Sequence, residues 1–287
     1  MTDPRIVPDV TVARYAAFTD TPDGGNPAGV VLDARGLSAA QMLAIAADVG
    51  YSETAFLTAE REDRAYEVRY FSPVAEVPFC GHATIATAVA LADRDGPGRI
   101  LLRTRAGPVP VETEHDEAGR TAATLTSVAP STQQVEPGYV AAVLAVLGWS
   151  QEDLDPGLEP RVAYAGARHL VLAAATRERL AALDYDFGGL RDLMLAEDLT
   201  TVDLVWREAP DRFHARNPFP VGGVVEDPAT GAAAAAFGGY LAELGLVRAP
   251  ARIVVFQGED MGRPSVLGIE LRPGEPGVRV SGAAVAL

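Results

Sequence analysis

GHATIATAVALA, residues 81–92, is apolar on every side, and so is a second stretch, ATGAAAAAFGGYLAEL, residues 229–244. A helix with no face for water must be enclosed by other structure. A shift of 146 positions sets His82, Ala83 and Thr84 on Pro228, Ala229 and Thr230, with Ala86 on Ala232 and Ala88 on Ala234. That offset is about half of the 287 residues. Each stretch also follows an aromatic-rich segment with a proline turn, YFSPVAEVP before the first and FHARNPFPVGG before the second. The repeat predicts two similar domains, each a curved sheet around one buried helix.

Around these two helices the periodicity is mostly that of strands. Alternation or short apolar runs at 11–19, 28–34, 54–59, 66–72, 99–107, 122–128, 169–175, 201–207, 252–258, 266–272 and 278–287 predict strands, and LSAAQMLAIAADVG at 37–50 carries helical spacing. Strands that follow one another without intervening helices form antiparallel or mixed sheets, so the fold class is α+β. The expected boundaries are 1–125 with 278–287 for the first domain and 126–277 for the second.

Composition narrows the function classes. A net charge of −15, from 39 acidic and 24 basic residues, repels a phosphate backbone, so nucleic acid is not an expected partner. The apolar run YVAAVLAVLGW at 139–149 is shorter than the roughly 20 residues a membrane-spanning helix needs, and no membrane partner is expected. The N-terminal MTDPRIVPDV lacks an apolar signal core, and a single cysteine cannot form an internal disulfide. Both fit a cytoplasmic protein.

The chemistry is expected at the helix starts. A first helical turn carries unpartnered N–H groups and partial positive charge, which suits carboxylates and developing oxyanions. Gly81 and Gly231 let a ligand approach the backbone there, although the same glycines also suit tight helix packing. Asp227, in EDPATG, is read as an N-cap of the second helix or a site residue. His82 falls in the first turn of the first helix, where a cation opposes the dipole, so it is either a ligand-binding ring or a satisfied core histidine. Glu53, in YSETAFL at the start of a predicted strand, is either exposed at the edge or partly buried, and in the second case suits a general base or acid.

Five segments occur in an order and spacing that resembles the PhzF-like phenazine-biosynthesis family, of the diaminopimelate-epimerase fold: GNPAGVVL at 25–32, SETAF at 52–56, FSPVAEVPFCGHAT at 71–84, EDPATGAA at 226–233 and QGEDMGRPS at 257–265. The resemblance implies two halves, each a barrel-like sheet around a central helix, with the active-site cleft between them. It further implies an isomerase that needs no cofactor or metal, a small anionic carboxylate substrate and a homodimer. By motif position Glu53 is the general acid–base, and His82 and Asp227 bind substrate and relay protons. Gly81, Gly231, Ala232 and Asn26 are the remaining substrate-binding positions. Ala232 stands where the family often carries serine, and CGHAT replaces a variant with alanine before the glycine and proline after the histidine. Both differences fall beside the expected pocket and leave the substrate open.

Two other readings stand beside the isomerase. Racemases of this fold use two cysteines, and Cys80 is the only one here, so an epimerase would pair Cys80 with Glu53 or Asp227. A small-molecule binder without turnover is the other. The histidines at 82, 115, 169 and 214 show no zinc spacing; His115 reads as part of a solvated turn in ETEHDEAGR, and His214 as part of a loop. GXSXG, P-loop and GXGXXG patterns are absent, and a nucleotide cofactor is not expected.

Overall fold

The computed structural model describes residues 10–115 and 119–287. The start of MTDPRIVPDV and the centre of the turn expected in ETEHDEAGR lie outside the described residues. The chain divides into two compact units, Met1–Thr126 with Ser281–Leu287, and Ser127–Val280.

In the first unit the elements are β1 (Ala13–Ala17), β2 (Asn26–Val31), α1 (Ala39–Val49), β3 (Glu53–Arg61), β4 (Ala65–Phe71), β5 (Glu76–Val77), α2 (Gly81–Asp95), β6 (Gly98–Thr104), β7 (Gly107–His115) and β8 (Thr121–Thr126). The second holds β9 (Ser131–Gln134), α3 (Pro137–Leu147), β10 (Arg161–Tyr164), β11 (Arg168–Ala173), α4 (Arg177–Ala181), α5 (Phe187–Ala196), β12 (Thr201–Ala209), β13 (Arg212–Pro218), β14 (Glu226–Asp227), α6 (Gly231–Glu243), β15 (Ala251–Gln257) and β16 (Ser265–Leu271). The last strand is β17 (Arg279–Ala286).

The first unit closes a ring of strands. β1 is antiparallel to β2, β2 parallel to β3, β3 antiparallel to β4, and β4 parallel to β6. β6, β7 and β8 follow as an antiparallel meander, and β17 pairs with both β8 and β1. The apolar helix α2 packs against β1, β2, β3, β7 and β8, and every residue from His82 to Ala92 is buried. Small side chains make this possible, because alanines and threonines let strands approach the helix on all sides.

The same sequence of pairings recurs in the second unit. β10 is antiparallel to β11, β11 parallel to β12, β12 antiparallel to β13, β13 parallel to β15, and β15 antiparallel to β16. α6 packs against β9, β10, β11 and β16, with Ala233 to Leu241 buried. A short strand precedes each helix and pairs back on the strand before it, β5 on β4 and β14 on β13. An arginine–glutamate pair closes each of these turns: Arg69 Nε and Nη2 donate to Glu76 at 2.7 Å each, and Arg216 donates to Glu226 at 2.9 and 2.5 Å.

Local signals explain where elements stop. Ser38 Oγ accepts from Gln41 N at 3.3 Å while Gln41 Oε1 accepts from Ser38 N at 2.9 Å, a reciprocal cap that starts α1. Gly50, at φ 72°, ends it. Ser38→Ala is expected to lower stability by about 1 kcal/mol, read from urea unfolding of the full chain. Before β2, Gly25 takes φ 66°, and a Cβ there would meet the Ala17 carbonyl at 2.4 Å. The glycine thus admits the tight turn that delivers Asn26 to the head of β2.

Several expectations change. The run expected as one strand over 99–107 is the hairpin arm β6, and Gly107 opens a separate strand, β7. His115 ends β7 and lies exposed, with its Nδ1 3.2 Å from Thr121 Oγ1. His214 is in β13 rather than a loop, set between Glu259 at 2.7 Å and Glu208 at 3.2 Å. The apolar run at 139–149 is mostly helix α3, whose Val140, Val143, Leu144 and Leu147 face a core with Leu170, Leu172 and Val202. Among the described residues no helix is long and apolar enough to cross a membrane.

Candidate active site

Glu53 is the first residue of β3 and lies opposite Ala28 of β2, one turn of pleat from Asn26. The start of α2 meets this edge. Cys80 occupies the N-cap position without a side-chain cap bond, and His82 is the helix's second residue. Strand ends and helix start therefore converge on one polar cluster beneath an apolar helix. Its members are Asn26, Ser52, Glu53, Cys80 and His82.

The distances define a small hydrogen-bonded set. Asn26 Nδ2 lies 3.1 Å from His82 Nδ1, so the amide donates to Nδ1 and the ring proton resides on Nε2. That nitrogen lies 3.3 Å from Glu53 Oε2 and 3.3 Å from Ser52 Oγ. The Cys80 thiol donates to Glu53 Oε2 at 3.5 Å and lies 3.4 Å from His82 Nδ1. The His82 side chain is 6% exposed and that of Glu53 is 13% exposed, so the carboxylate is partly buried yet reachable. The edge-exposed alternative for Glu53 is thereby set aside. Glu53, Cys80 and His82 also offer one donor atom each within 4.8 Å of one another, close enough for all three to reach one ion.

The second unit builds a different kind of helix start. Asp227 is not the N-cap of α6: the N-cap position belongs to Thr230, which makes no side-chain cap bond of its own. Asp227 instead ends β14, buried, with its backbone paired to Asn217 of β13. The pairing to β13 holds Asp227 one turn too early to cap the helix. Thr230 Oγ1 donates to Asp227 Oδ2 at 2.6 Å. Gln257 fastens the loop from the other side: its Nε2 donates to the Asp227 carbonyl at 2.7 Å and its Oε1 accepts from Thr230 N at 3.0 Å. Gly231, buried, and Ala232, half-buried, follow as the first two residues of α6, as Gly81 opens α2.

Three of these contributors were not singled out from sequence. Gln257 opens the QGEDMGRPS segment, so its position carried a signal, but a lone glutamine gives no reason to assign it a role. Ser52 opens the SETAF segment and Thr230 lies in EDPATGAA, so their positions carried the same signal, but a hydroxyl beside a carboxylate or a helix start gives no reason by itself to assign a role.

A family described as "Phenazine biosynthesis-like protein", PhzC-PhzF, matches residues 15–287. The chain belongs to this family. It is 33% identical over 251 residues to trans-2,3-dihydro-3-hydroxyanthranilate isomerase of Pseudomonas chlororaphis, covering 88% of this chain and 86% of that protein. It is 35% identical over 275 residues to an uncharacterized isomerase of Deinococcus radiodurans, covering 92% and 87%. Among solved structures, the PhzF-family phenazine biosynthesis protein of Bacillus anthracis superposes with a TM-score of 0.85 at 25% identity, covering 97% of each chain. The fold extends further, to a probable proline racemase of Agrobacterium radiobacter, with a TM-score of 0.66 at 12% identity. The protein is thus a PhzF-like isomerase with an α+β, strand-rich, barrel-like fold.

Proposed function

We propose that this family member moves a proton between two carbons of a small cyclic amino or hydroxy carboxylate, with Glu53 as the proton carrier. The observation that carries this reading is the partly buried Glu53 carboxylate held 3.3 Å from the His82 ring at the mouth of an enclosed helix. A carboxylate in that setting can take a proton from carbon and return it, since a group that only binds has no need of a partner ring. The relative from Pseudomonas chlororaphis, named for a dihydro-hydroxyanthranilate, supports the substrate class.

In this scheme Glu53 Oε2 removes a proton from one substrate carbon, leaving an enolate-like anion. Charge on the substrate meets the first-turn N–H groups of α2 at Gly81, which act in place and need no reorganisation. His82, with its Nε2 proton directed at Glu53, orients the carboxylate, and Asn26 keeps the ring in that tautomer. Glu53 then delivers the proton to a second carbon, so the substrate gains and loses nothing overall. Asp227, in the second unit, enters by its motif position as the group that binds the substrate's amino or hydroxyl function; Gly231 and Ala232 line the same helix start. The scheme needs no group beyond the chain's own. The two units as duplicated domains, and a homodimer as the working form, belong to the same proposal.

A second reading has one observation in its favour, the 3.5 Å separation of the Cys80 thiol and Glu53. Two proton carriers on either side of one carbon would make an epimerase. Label from D2O separates the readings. With cyclic amino and hydroxy carboxylates as candidates, the isomerase is expected to place deuterium on a carbon other than the one that lost hydrogen. An epimerase returns it to the same carbon with inversion, and Cys80→Ala then abolishes uptake. No wash-in from any such substrate would overturn both in favour of a binder.

A further inference from the structure

We infer that Glu53, Cys80 and His82 form a binding site for one thiophilic divalent cation of the zinc class. The three donors come from a strand start, an N-cap and a first helical turn, and nothing in their sequence spacing groups them as ligands. Asn26 occupies His82 Nδ1, which leaves Nε2 as the ligating nitrogen. From Nε2 the Glu53 Oε2 lies at 3.3 Å and the Cys80 Sγ at 3.7 Å, and Sγ to Oε2 is 3.5 Å. Tetrahedral zinc, with bonds of about 2.3 Å to sulfur and about 2.0–2.1 Å to nitrogen and oxygen, separates the same donor pairs by about 3.4, 3.6 and 3.6 Å. Pair by pair the spacings match that tetrahedron, while the thiol must still change direction.

The thiol also lies 3.4 Å from Nδ1, nearly level with both ring nitrogens, whereas a thiolate sharing an ion with Nε2 stands about 5 Å from Nδ1, so the Cys80 side chain turns toward the Nε2 edge by roughly 2 Å as the ion enters. The fourth position stays open to water, the arrangement of three protein ligands and a solvent ligand. Cys80 and His82 are 8% and 5% exposed, so the ion is taken into a site that is already largely dehydrated. Coordination through Nε2 moves the ring proton to Nδ1, where a half-turn of the Asn26 amide meets it with Oδ1, the outer-shell acceptor such a histidine uses. The thiol proton leaves to solvent, so each bound ion releases one proton from Cys80. The chain's net charge of −15 favours arrival of a cation. If Glu53 is the proton carrier, as proposed above, the ion and the substrate compete for Oε2, and the cation is an inhibitor; the site itself does not depend on that reading.

Cobalt(II) chloride titrated anaerobically into the full chain, free of added thiols, tests the site without turnover. A thiolate-to-cobalt charge-transfer band in the near ultraviolet can arise only from Cys80, because the chain has one cysteine. The expected result is saturation at one equivalent, loss of the band in Cys80→Ser, and at least about tenfold weaker binding in Glu53→Gln and His82→Gln, each checked for native circular dichroism. Zinc(II) is expected to bleach the band by displacement. No thiolate band in the wild type at millimolar cobalt overturns the inference. So does equal affinity in folded Glu53→Gln and His82→Gln, which would mean that the thiol binds cobalt alone.

Discussion

Glu53→Gln is expected to lower turnover by about 10²–10⁴-fold while the protein stays folded. The substitution changes almost no volume, and the amide oxygen still accepts from His82 Nε2, the group that lies 3.3 Å from Oε2 in the wild type. What it removes is the ability to hold a transferable proton. Stability is expected to move by no more than about 1 kcal/mol, because the substitution only weakens the bonds that Oε2 accepts from His82 Nε2 and the Cys80 thiol at a partly open position. Substrate binding is expected to survive, since the first-turn donors of α2 and the ring of His82 remain. Steady-state rates together with deuterium uptake from D2O make the measurement: both fall together if Glu53 carries the proton. Near-wild-type exchange in a folded Glu53→Gln would remove the residue from that role.

The fold was legible where burial follows apolar side chains. The helices at 81–92 and 229–244 announced themselves because a segment with no polar face has only one place to go, and they form α2 and α6. β13 was hidden for the opposite reason. Its Arg216 and Asn217 are buried but polar, so FHARNPFP shows neither alternation nor an apolar run, and its proline reads as a turn. The ion pair with Glu226 and the bond to Asp203 replace apolar burial there, and partners ten and fourteen residues away leave no trace in local periodicity. The site was legible to the same extent. Motif order singled out Glu53, His82 and Asp227 as candidates, and of the two readings left open for Asp227 the cap falls away because strand pairing with Asn217 takes precedence over capping. That Cys80 touches both Glu53 and His82 is a fact of three dimensions, since the residues are 27 apart and 2 apart along the chain.

The recurring strand order lets the two units be compared position by position. Phe56 faces Arg69 across β3 and β4, and Leu204 faces Arg216 across β12 and β13. Counting back three residues from each puts Glu53 and Thr201 at equivalent strand starts. Where the first unit presents a carboxylate, the second presents a buried hydroxyl. His169 Nδ1 donates to Thr201 Oγ1 at 2.7 Å, Thr201 donates to Asn217 Oδ1 at 2.7 Å, and Asn217 Nδ2 donates to Asp203 Oδ1 at 3.0 Å. The equivalent position is thus locked into a directional chain inside the second unit, and two titratable groups sit at its ends.

Those ends set a pH dependence that one substitution exposes. Burial pushes Asp203 up from 3.8 to about 7, against the hydrogen bond from Asn217, and burial pushes His169 down from 6.5 to about 3. Between roughly pH 4 and 6.5 the folded state holds one proton more than the unfolded state at Asp203 and one fewer at His169, so the two slopes cancel. Asp203 alone contributes stability that is complete below pH 3.8 and lost as pH rises through about 7. His169 alone contributes stability that is complete above pH 6.5 and lost as pH falls toward about 3. Asp203→Asn mimics the neutral acid at every pH and deletes the first of these. Relative to wild type, the variant is expected to gain about 4 kcal/mol between pH 4 and pH 8, because a tenfold change in proton affinity corresponds to about 1.4 kcal/mol. Its own stability is expected to rise steeply from pH 4 to 6.5, where in the wild type the contributions of Asp203 and His169 cancel. The side-chain amide that the substitution introduces offsets the whole curve by a constant, so the change in slope carries the result and the offset does not. Urea unfolding of both proteins at pH 4, 5.5, 7 and 8.5 reads it directly. Parallel curves would mean that Asp203 is ionised in the folded state across the whole range, with hydrogen bonds strong enough to hold a buried charge.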